Sequence, residues 1–226
     1  MEAPLPRALM NGGSAGQGAA RLLIVIARLG HPVQGHPAAT NAVRWLPSLT
    51  MLEKFDFWVR NPDYLADELL SEFESGTRTL DQIADHVVRM LNEDAPDFHK
   101  YPMTRYLYGA YEVVDNPLSI LKSYGHILHR RVDPSNPKSR RDYFLLPSGI
   151  TAANALRSAV PSVAWYDLQC DAIALLSGIT SGAEAKRRQY EQPEYEAATH
   201  GALIPSIGER VRSRALRLGI DPGVTA

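Results

Sequence analysis

The sequence predicts a mainly α-helical protein that carries one β-hairpin in its second half. Most of the chain has apolar residues at helical spacing, with Gly and Pro where helices should begin or end. The period becomes strand-like only around residues 127–145, where two short apolar runs flank a turn rich in Pro, Ser and Asn. With 45% apolar and 22% charged residues, the 226-residue chain has the composition of a folded globular protein.

Three regions are expected along the chain. Residues 1–18 include the glycine-rich stretch Gly12–Gly18 and are predicted to be a flexible tail. This stretch lacks the preceding strand and the Gly-Lys-Ser/Thr ending of a phosphate-binding loop. Residues 19–160 are predicted to form the helical domain that contains the hairpin, and residues 161–226 a C-terminal helical extension.

The first half of the chain contains four predicted helices. Gly30 is placed to end the first, Asn61-Pro62 to begin the third, and Thr79 with Gln82 to cap the fourth. The four apolar stripes cover residues 19–29, 49–59, 62–73 and 80–91. The Pro- and Gly-rich stretch 31–37 is predicted to be a loop.

The second half begins with a short helix that starts at Pro117 and ends at Gly125. Two strand-like runs follow, at residues 127–132 and 143–145, and form the predicted hairpin. Helices are then expected at residues 147–159 and 161–177, the latter with Trp165, Leu168 and Ala172 on a buried stripe. Two charged helices are predicted at residues 183–190 and 207–218.

A short helix, a hairpin with a basic tip and a further helix occur in the order of a winged helix-turn-helix. The expected fold is therefore mainly α, with a winged helix-turn-helix core, a β-hairpin wing and additional N- and C-terminal helices. Residues 122–142 carry a surplus of four positive charges in a chain whose net charge is −1. The predicted DNA-binding residues are Lys122, Arg130, Arg131, Lys138, Arg140 and Arg141. The alternative is that these charges only protect the hairpin edges from pairing with other chains.

The helix before the hairpin has few groups that could read a base sequence. Its polar side chains are Ser119, Lys122 and Ser123, whereas bidentate base contacts are usually made by Arg, Asn or Gln. We therefore expect contacts to the DNA backbone that do not depend on sequence.

The residues predict no catalytic site, cofactor or metal centre. His31 and His36 lack a third ligand nearby, and His126 and His129 are interpreted as solvent-facing hairpin residues. The lone Cys170 is predicted to be a buried hydrophobe, which together with the absence of a disulfide pair favours the cytoplasm. The apolar run Leu22–Leu29 is too short to cross a membrane. Acidic residues along the third helix are interpreted as a solvated face: Asp63, Asp67, Glu68 and Glu72.

Two motifs resemble a known bacterial family. Arg105–Tyr111 (RYLYGAY) is followed by a helix that ends in Leu121-x-x-x-Gly125-His126-Ile127, and Leu49–Val59 (LTMLEKFDFWV) runs into Arg60-Asn61-Pro62. This order is similar to that in the middle component of ABC three-component systems, which include Lamassu-type antiphage defence. Ala110 replaces the proline of the family pattern, and His126 replaces a leucine.

The resemblance implies a non-catalytic winged-helix accessory subunit. It would link an SMC-like or ABC ATPase that senses DNA to an effector, often a nuclease. Tyr106, Tyr108 and Tyr111 are predicted partner contacts because exposed aromatic residues are enriched at interfaces. The basic run Lys186–Arg188 is expected to add contacts to DNA or to acidic partner surfaces.

A second resemblance leaves an alternative open. The segment Gly125–Gly149 also resembles the wing of MarR-type transcription regulators, with Arg130-Arg131-x-Asp133-Pro134 and Leu145-x-x-x-Gly149. That reading implies a homodimer that binds a palindromic operator.

Overall fold

The computed structural model describes residues 15–34, 36, 41–92, 103, 105–106, 109–110, 114–197 and 203–223. In this part of the chain, the protein is mainly helical and contains a small four-stranded antiparallel sheet. The helices are α1 (Ala15–Leu29), α2 (Leu49–Arg60), α3 (Pro62–Glu74), α4 (Leu80–Asn92), α5 (Asp115–Ser123), α6 (Pro147–Ala159), α7 (Ala164–Ala174), α8 (Gly182–Tyr190), α9 (Pro193–Ala197) and α10 (Gly208–Arg217). The strands are β1 (His31–Pro32), β2 (Arg44–Pro47), β3 (Arg105–Tyr106), β4 (Gly109–Ala110), β5 (Ile127–Arg131) and β6 (Arg141–Leu145).

The predicted hairpin is confirmed as β5 and β6, but it is half of a larger sheet. The strand order is β1-β2-β6-β5, so β6 is a central strand. Strand β1 lies in the stretch predicted to be a loop, and β2 was not predicted. Both are too short for a period of two to be recognisable. Strand β2 pairs with β6, about 100 positions away, and β1 pairs with β2.

The central position of β6 accounts for its apolar sequence. Tyr143, Phe144 and Leu145 are all buried, whereas a solvent-exposed hairpin would alternate buried and exposed residues. Leu46 of β2 pairs with Tyr143 and is also fully buried. Because successive residues of a strand point to opposite faces, both faces of β6 are covered: Tyr143 and Leu145 pack in the main hydrophobic core, and Phe144 contacts the ring of His36 on the other face.

The turn between α5 and β5 fixes the start of α6. Gly125 adopts a positive φ of 65°, the left-handed conformation that commonly ends a helix. The backbone N–H of Leu146 donates to the carbonyl oxygen of His126 (2.9 Å), and Ser148 Oγ donates to that of Gly125 (2.6 Å). A Cβ atom on Gly149 would lie 2.5 Å from the His126 carbonyl oxygen, so α6 can approach only with glycine there.

The core is built around α1. Leu22, Ile24, Val25 and Ile26 are fully buried, and the helix packs against α2, α5, α6 and α7. It begins at Ala15, four residues before the predicted start, so the predicted flexible tail is wrong for residues 15–18. Tertiary packing overrides the low helix propensity of glycine here, because Gly18 lies against the ring of Pro117.

The C-terminal helices differ from prediction at α7, which is shorter than predicted, and at α9, which was not predicted. Residues Pro161–Val163 form a 3₁₀ turn, and α7 begins only at Ala164. Within α7, Trp165 and Ala172 are buried as predicted, but Leu168 is 40% exposed. Cys170 is buried as predicted, and burial raises the pKa of its thiol well above the ordinary value. None of the described helices is both long enough and apolar enough to cross a membrane.

The substitution Gly149→Ala tests the close approach of α6. We expect the free energy of unfolding to fall by about 1–3 kcal/mol, because the added methyl group forces the backbone apart. Gly208→Ala in the first turn of α10 is the matched control, since its Cβ would meet Ser206 Oγ at an ordinary 3.4 Å. Urea denaturation of both variants measures the difference, and equal stabilities would contradict the proposed packing.

Candidate nucleic-acid interface

Three of the predicted DNA-binding residues lie together on one face of the sheet. Arg131 pairs with Arg141 and His129 with Tyr143, and residues paired in this way share a face. Lys122 lies in the last turn of α5. Burial lowers the pKa of His129, and the charges of Lys122, Arg141 and Arg131 lower it further, so all three cations act on His129. We call Lys122, His129, Arg131 and Arg141 the His129 face. All are exposed except Arg131, which is half-buried.

Arg130 and Arg140 belong to the other side of the hairpin. Arg130 pairs with Asp142 across the strands and is exposed. Arg140 Nε donates to Asp142 Oδ1 (2.7 Å) and Nη2 to Oδ2 (3.2 Å). Because Asp142 is fully buried, this ion pair commits Arg140 to neutralising it. The six predicted cations therefore do not form one continuous surface.

Asp142 connects the hairpin to two other parts of the chain. Its Oδ2 lies 3.2 Å from Nε2 of His36, whose ring packs on Trp45 and Phe144 at centroid distances of 4.4 and 4.9 Å. Its Oδ1 accepts from the backbone N–H of Ser48 (3.4 Å). Ser48 has a φ of 62° and caps α2, its Oγ accepting from the backbone N–H of Met51 (3.2 Å).

The loop between β5 and β6 is held by its own hydrogen bonds. Asp133 Oδ1 accepts from the backbone N–H of Ser135 (2.9 Å) and from its hydroxyl (2.6 Å), which lowers the pKa of Asp133. Ser139 Oγ donates to the Asp133 carbonyl oxygen, and Arg131 Nη1 donates to the Ser139 carbonyl oxygen (3.2 Å). Lys138 is exposed at this tip. The loop is therefore an ordered turn that positions Arg131.

Tyr143 is the buried residue that pairs with His129 across the hairpin. Its ring centroid is 6.1 Å from that of His129. Burial raises the pKa of Tyr143 to about 12; Arg141 opposes this shift, and the charges of Glu53 and Asp115 add to it. Both cationic and acidic charges therefore act on Tyr143.

The exposed side of α5 supplies little for base recognition. Its exposed residues include Asp115, Asn116, Ser119, Lys122 and Ser123. Ser123 Oγ already donates to the Ile120 carbonyl oxygen (2.8 Å). This surface holds one cation, one carboxylate and one amide side chain.

An apolar groove runs between α1, α5 and α6 on another side of α5. Its volume is about 410 Å³, and small residues such as Ala19, Ala152 and Ala155 line much of it. Tyr124 stands at its edge, 72% exposed, with its ring stacked 5.8 Å from that of His126. Nδ1 of His126 is buried without a hydrogen-bond partner in the described part of the chain.

The predicted partner-binding tyrosines cannot be placed as side chains. Tyr106 lies in β3, where its backbone pairs with Gly109 of β4. The side chain of Tyr106, and Tyr108 and Tyr111 entirely, fall outside the described residues.

The acidic residues of α3 are buried, so their interpretation as a solvated face was wrong for three of the four. Asp67, Glu68 and Glu72 are only 1–3% exposed. Arg188 of α8 donates from Nε to Glu68 Oε2 and from Nη2 to Glu72 Oε1. Arg188 is therefore an internal partner, contrary to its expected role as an external contact.

Arginines of α10 complete this network. Arg210 donates to both carboxylate oxygens of Asp67 at 3.1 Å, and Arg214 Nη1 donates to Asp67 Oδ1 at 2.6 Å. These groups line a polar cavity of about 550 Å³ between α3, α8 and α10. The spacing of these residues in the sequence could have predicted the network. Arg210 and Arg214 are four residues apart and share a helix face, as do Glu68 and Glu72.

The two glutamates of the network respond differently to burial. Burial raises the pKa of Glu68 and outweighs the stabilising effect of Arg188. Burial also opposes ionisation of Glu72, but hydrogen bonds from Thr77, Ser177 and Arg188 prevail and lower its pKa to about 2. Glu72 is therefore a fixed negative charge at neutral pH.

Within the described residues, no group of three or more His, Cys, Asp or Glu side chains is arranged to hold a metal ion. The most unusual buried group is Lys54 of α2: burial lowers its pKa to about 8, and its Nζ has no hydrogen-bond partner in the described part of the chain. The sequence analysis missed Lys54, because its neighbours do not distinguish it from a surface lysine.

Comparison with known proteins does not assign this chain to a family. No protein-family model, curated protein or solved structure matches it significantly.

The substitution Arg188→Met tests the buried network. We expect the free energy of unfolding at pH 7 to fall by about 3–5 kcal/mol, because Glu68 and Glu72 lose their cation inside the protein. Arg187→Met is the control: Arg187 faces Glu191 at 3.6 Å, and both side chains are mostly exposed. It should cost at most about 1 kcal/mol in chemical denaturation. Similar losses for both variants would show that the buried pairs do not hold α8 in place.

Proposed function

We propose that this chain is a winged-helix accessory subunit of a bacterial antiphage defence complex in the cytoplasm. In this proposal it links an SMC-like or ABC ATPase to an effector such as a nuclease, and it contacts the DNA backbone through the His129 face. The observation that carries the DNA contact is the grouping of the half-buried Arg131 with the exposed Lys122 and Arg141. The link between ATPase and effector rests on the sequence resemblance.

The order of elements supports the winged-helix part of the proposal. Helix α5 leads through a three-residue turn into β5 and β6, and α6 follows directly. Pairing of β6 with β2 anchors the hairpin to the helical body. A wing anchored in this way holds its cations in a constant position relative to α5.

The distribution of charge supports contact with phosphates rather than bases. The chain as a whole carries a net charge of −1, so attraction to a polyanion must come from a local surface. Arginine and lysine side chains on such a surface bind phosphate groups in any sequence. We therefore expect weak, salt-dependent binding to duplex DNA.

The double substitution Arg131→Gln, Arg141→Gln tests the His129 face. We expect the affinity for a 20-base-pair duplex to fall at least tenfold in 50 mM salt. The slope of log K against log salt should decrease by about 2, roughly one for each lost phosphate contact. Fluorescence anisotropy at several salt concentrations measures both quantities.

The matched control is Arg130→Gln, Lys138→Gln, which removes the same charge from the other side and the tip of the hairpin. This control variant should change the affinity for the duplex, and the slope of log K against log salt, much less than the double substitution at Arg131 and Arg141. If the two double variants lose the same affinity, net charge rather than the His129 face governs binding.

Copurification tests the accessory role. When the native operon is expressed with a tag on this chain, a large ATPase and an effector should be recovered with it. Serine substitutions at Tyr106, Tyr108 and Tyr111 should reduce that recovery if these side chains contact a partner. Recovery of a lone homodimer would contradict the accessory role.

The second candidate is a MarR-like regulator that acts as a homodimer. The apolar groove between α1, α5 and α6 favours this alternative, since a dimer must bury an apolar surface on each copy. It predicts a single mass of two chains in light scattering and protection of one palindromic site in a footprint.

A further inference from the structure

We propose that His129 is a fourth phosphate contact of the His129 face and that it binds as the protonated imidazolium. The inference rests on the proposed DNA contact and adds to it the residue that makes binding depend on pH. The sequence analysis interprets His129 only as a solvent-facing hairpin residue and assigns it no role.

The position of His129 carries the inference. It lies in the middle of β5, two residues before Arg131, and the alternation of the strand places both side chains on the same face. Across the hairpin, Tyr143 is its direct partner and Arg141 its diagonal neighbour. A phosphate group held between Lys122, Arg131 and Arg141 would therefore meet the imidazole ring.

The groups that face His129 come from three elements. Helix α5 contributes Lys122, β5 contributes Arg131, and β6 contributes Arg141 and Tyr143. Beyond Tyr143, the charges of Glu53 on α2 and Asp115 on α5 act on the Tyr143 ring. Each of the three cations disfavours a fourth positive charge, and partial burial of the ring disfavours it as well. In the free protein, the imidazole is therefore mostly neutral at pH 7.

A bound phosphate reverses this balance. Its negative charge offsets the three cations and accepts a hydrogen bond from an imidazolium N–H, so binding raises the pKa of His129. By linkage, a proton is then taken up on binding, and affinity increases as the pH falls through the neutral range. The cationic residues of the face keep their charge over this range, and Tyr143, with a pKa of about 12, stays neutral.

Anisotropy titrations with a duplex at constant ionic strength test the inference between pH 6 and 8. Wild-type affinity should rise at least fivefold from pH 8 to pH 6. His129→Asn should lose most of this rise between pH 8 and pH 6. His129→Lys carries a permanent charge and should bind at pH 8 at least as tightly as the wild type does at pH 6.

Proton NMR of the His129 ring supplies a readout that a structural role would not change. Saturation with duplex should raise the pKa of the His129 ring. The double substitution Arg131→Gln, Arg141→Gln should raise the pKa of the same ring in the DNA-free protein. An unchanged ring pKa on saturation, or equal pH dependence in wild type and His129→Asn, would overturn the inference while leaving DNA binding intact. Absence of wild-type binding at every pH would instead overturn the proposed DNA contact, and the role of His129 with it.

Discussion

Buried carboxylates that take their cations from distant parts of the chain hold this protein together. Asp67, Glu68 and Glu72 of α3 require the arginines of α8 and α10, which lie more than 100 residues later. Asp56 of α2 takes Arg21 of α1 in the same way. A buried carboxylate without its cation is strongly destabilising, so each pair restricts where the later element can lie. The C-terminal helices are thus attached by charge as well as by apolar contact.

The same constraint decides which cations can serve an external partner. Arg140 and Arg188 both belong to basic runs, yet each neutralises a buried carboxylate. Lys122 and Arg141, by contrast, are exposed on the His129 face. A count of positive charges along the sequence treats all of these residues alike. Their difference arises only from the alternation of the strands and from contacts across the fold.

Local patterns predicted the helices and the hairpin well, because capping residues, prolines and apolar stripes lie within a few positions of one another. The helix from Pro117 to Gly125 and the strands β5 and β6 are examples. Strand β2 and the burial of Asp67 depend on partners about 100 or more positions away in sequence, so no local pattern predicts them, and β1 in turn depends on β2. At the candidate site, the sequence identified the cations but not their division between two faces. It also gave no reason to separate His129 from His126.

Asp142 connects the hairpin to the first turn of α2. It lies in the central strand and binds the backbone N–H of Ser48, the residue that begins α2 in a backbone conformation that non-glycine residues rarely adopt. Such a conformation persists only where its surroundings impose it, so Ser48 has little freedom to yield. A displacement of β6 would therefore reach the first turn of α2 through Asp142 and Ser48.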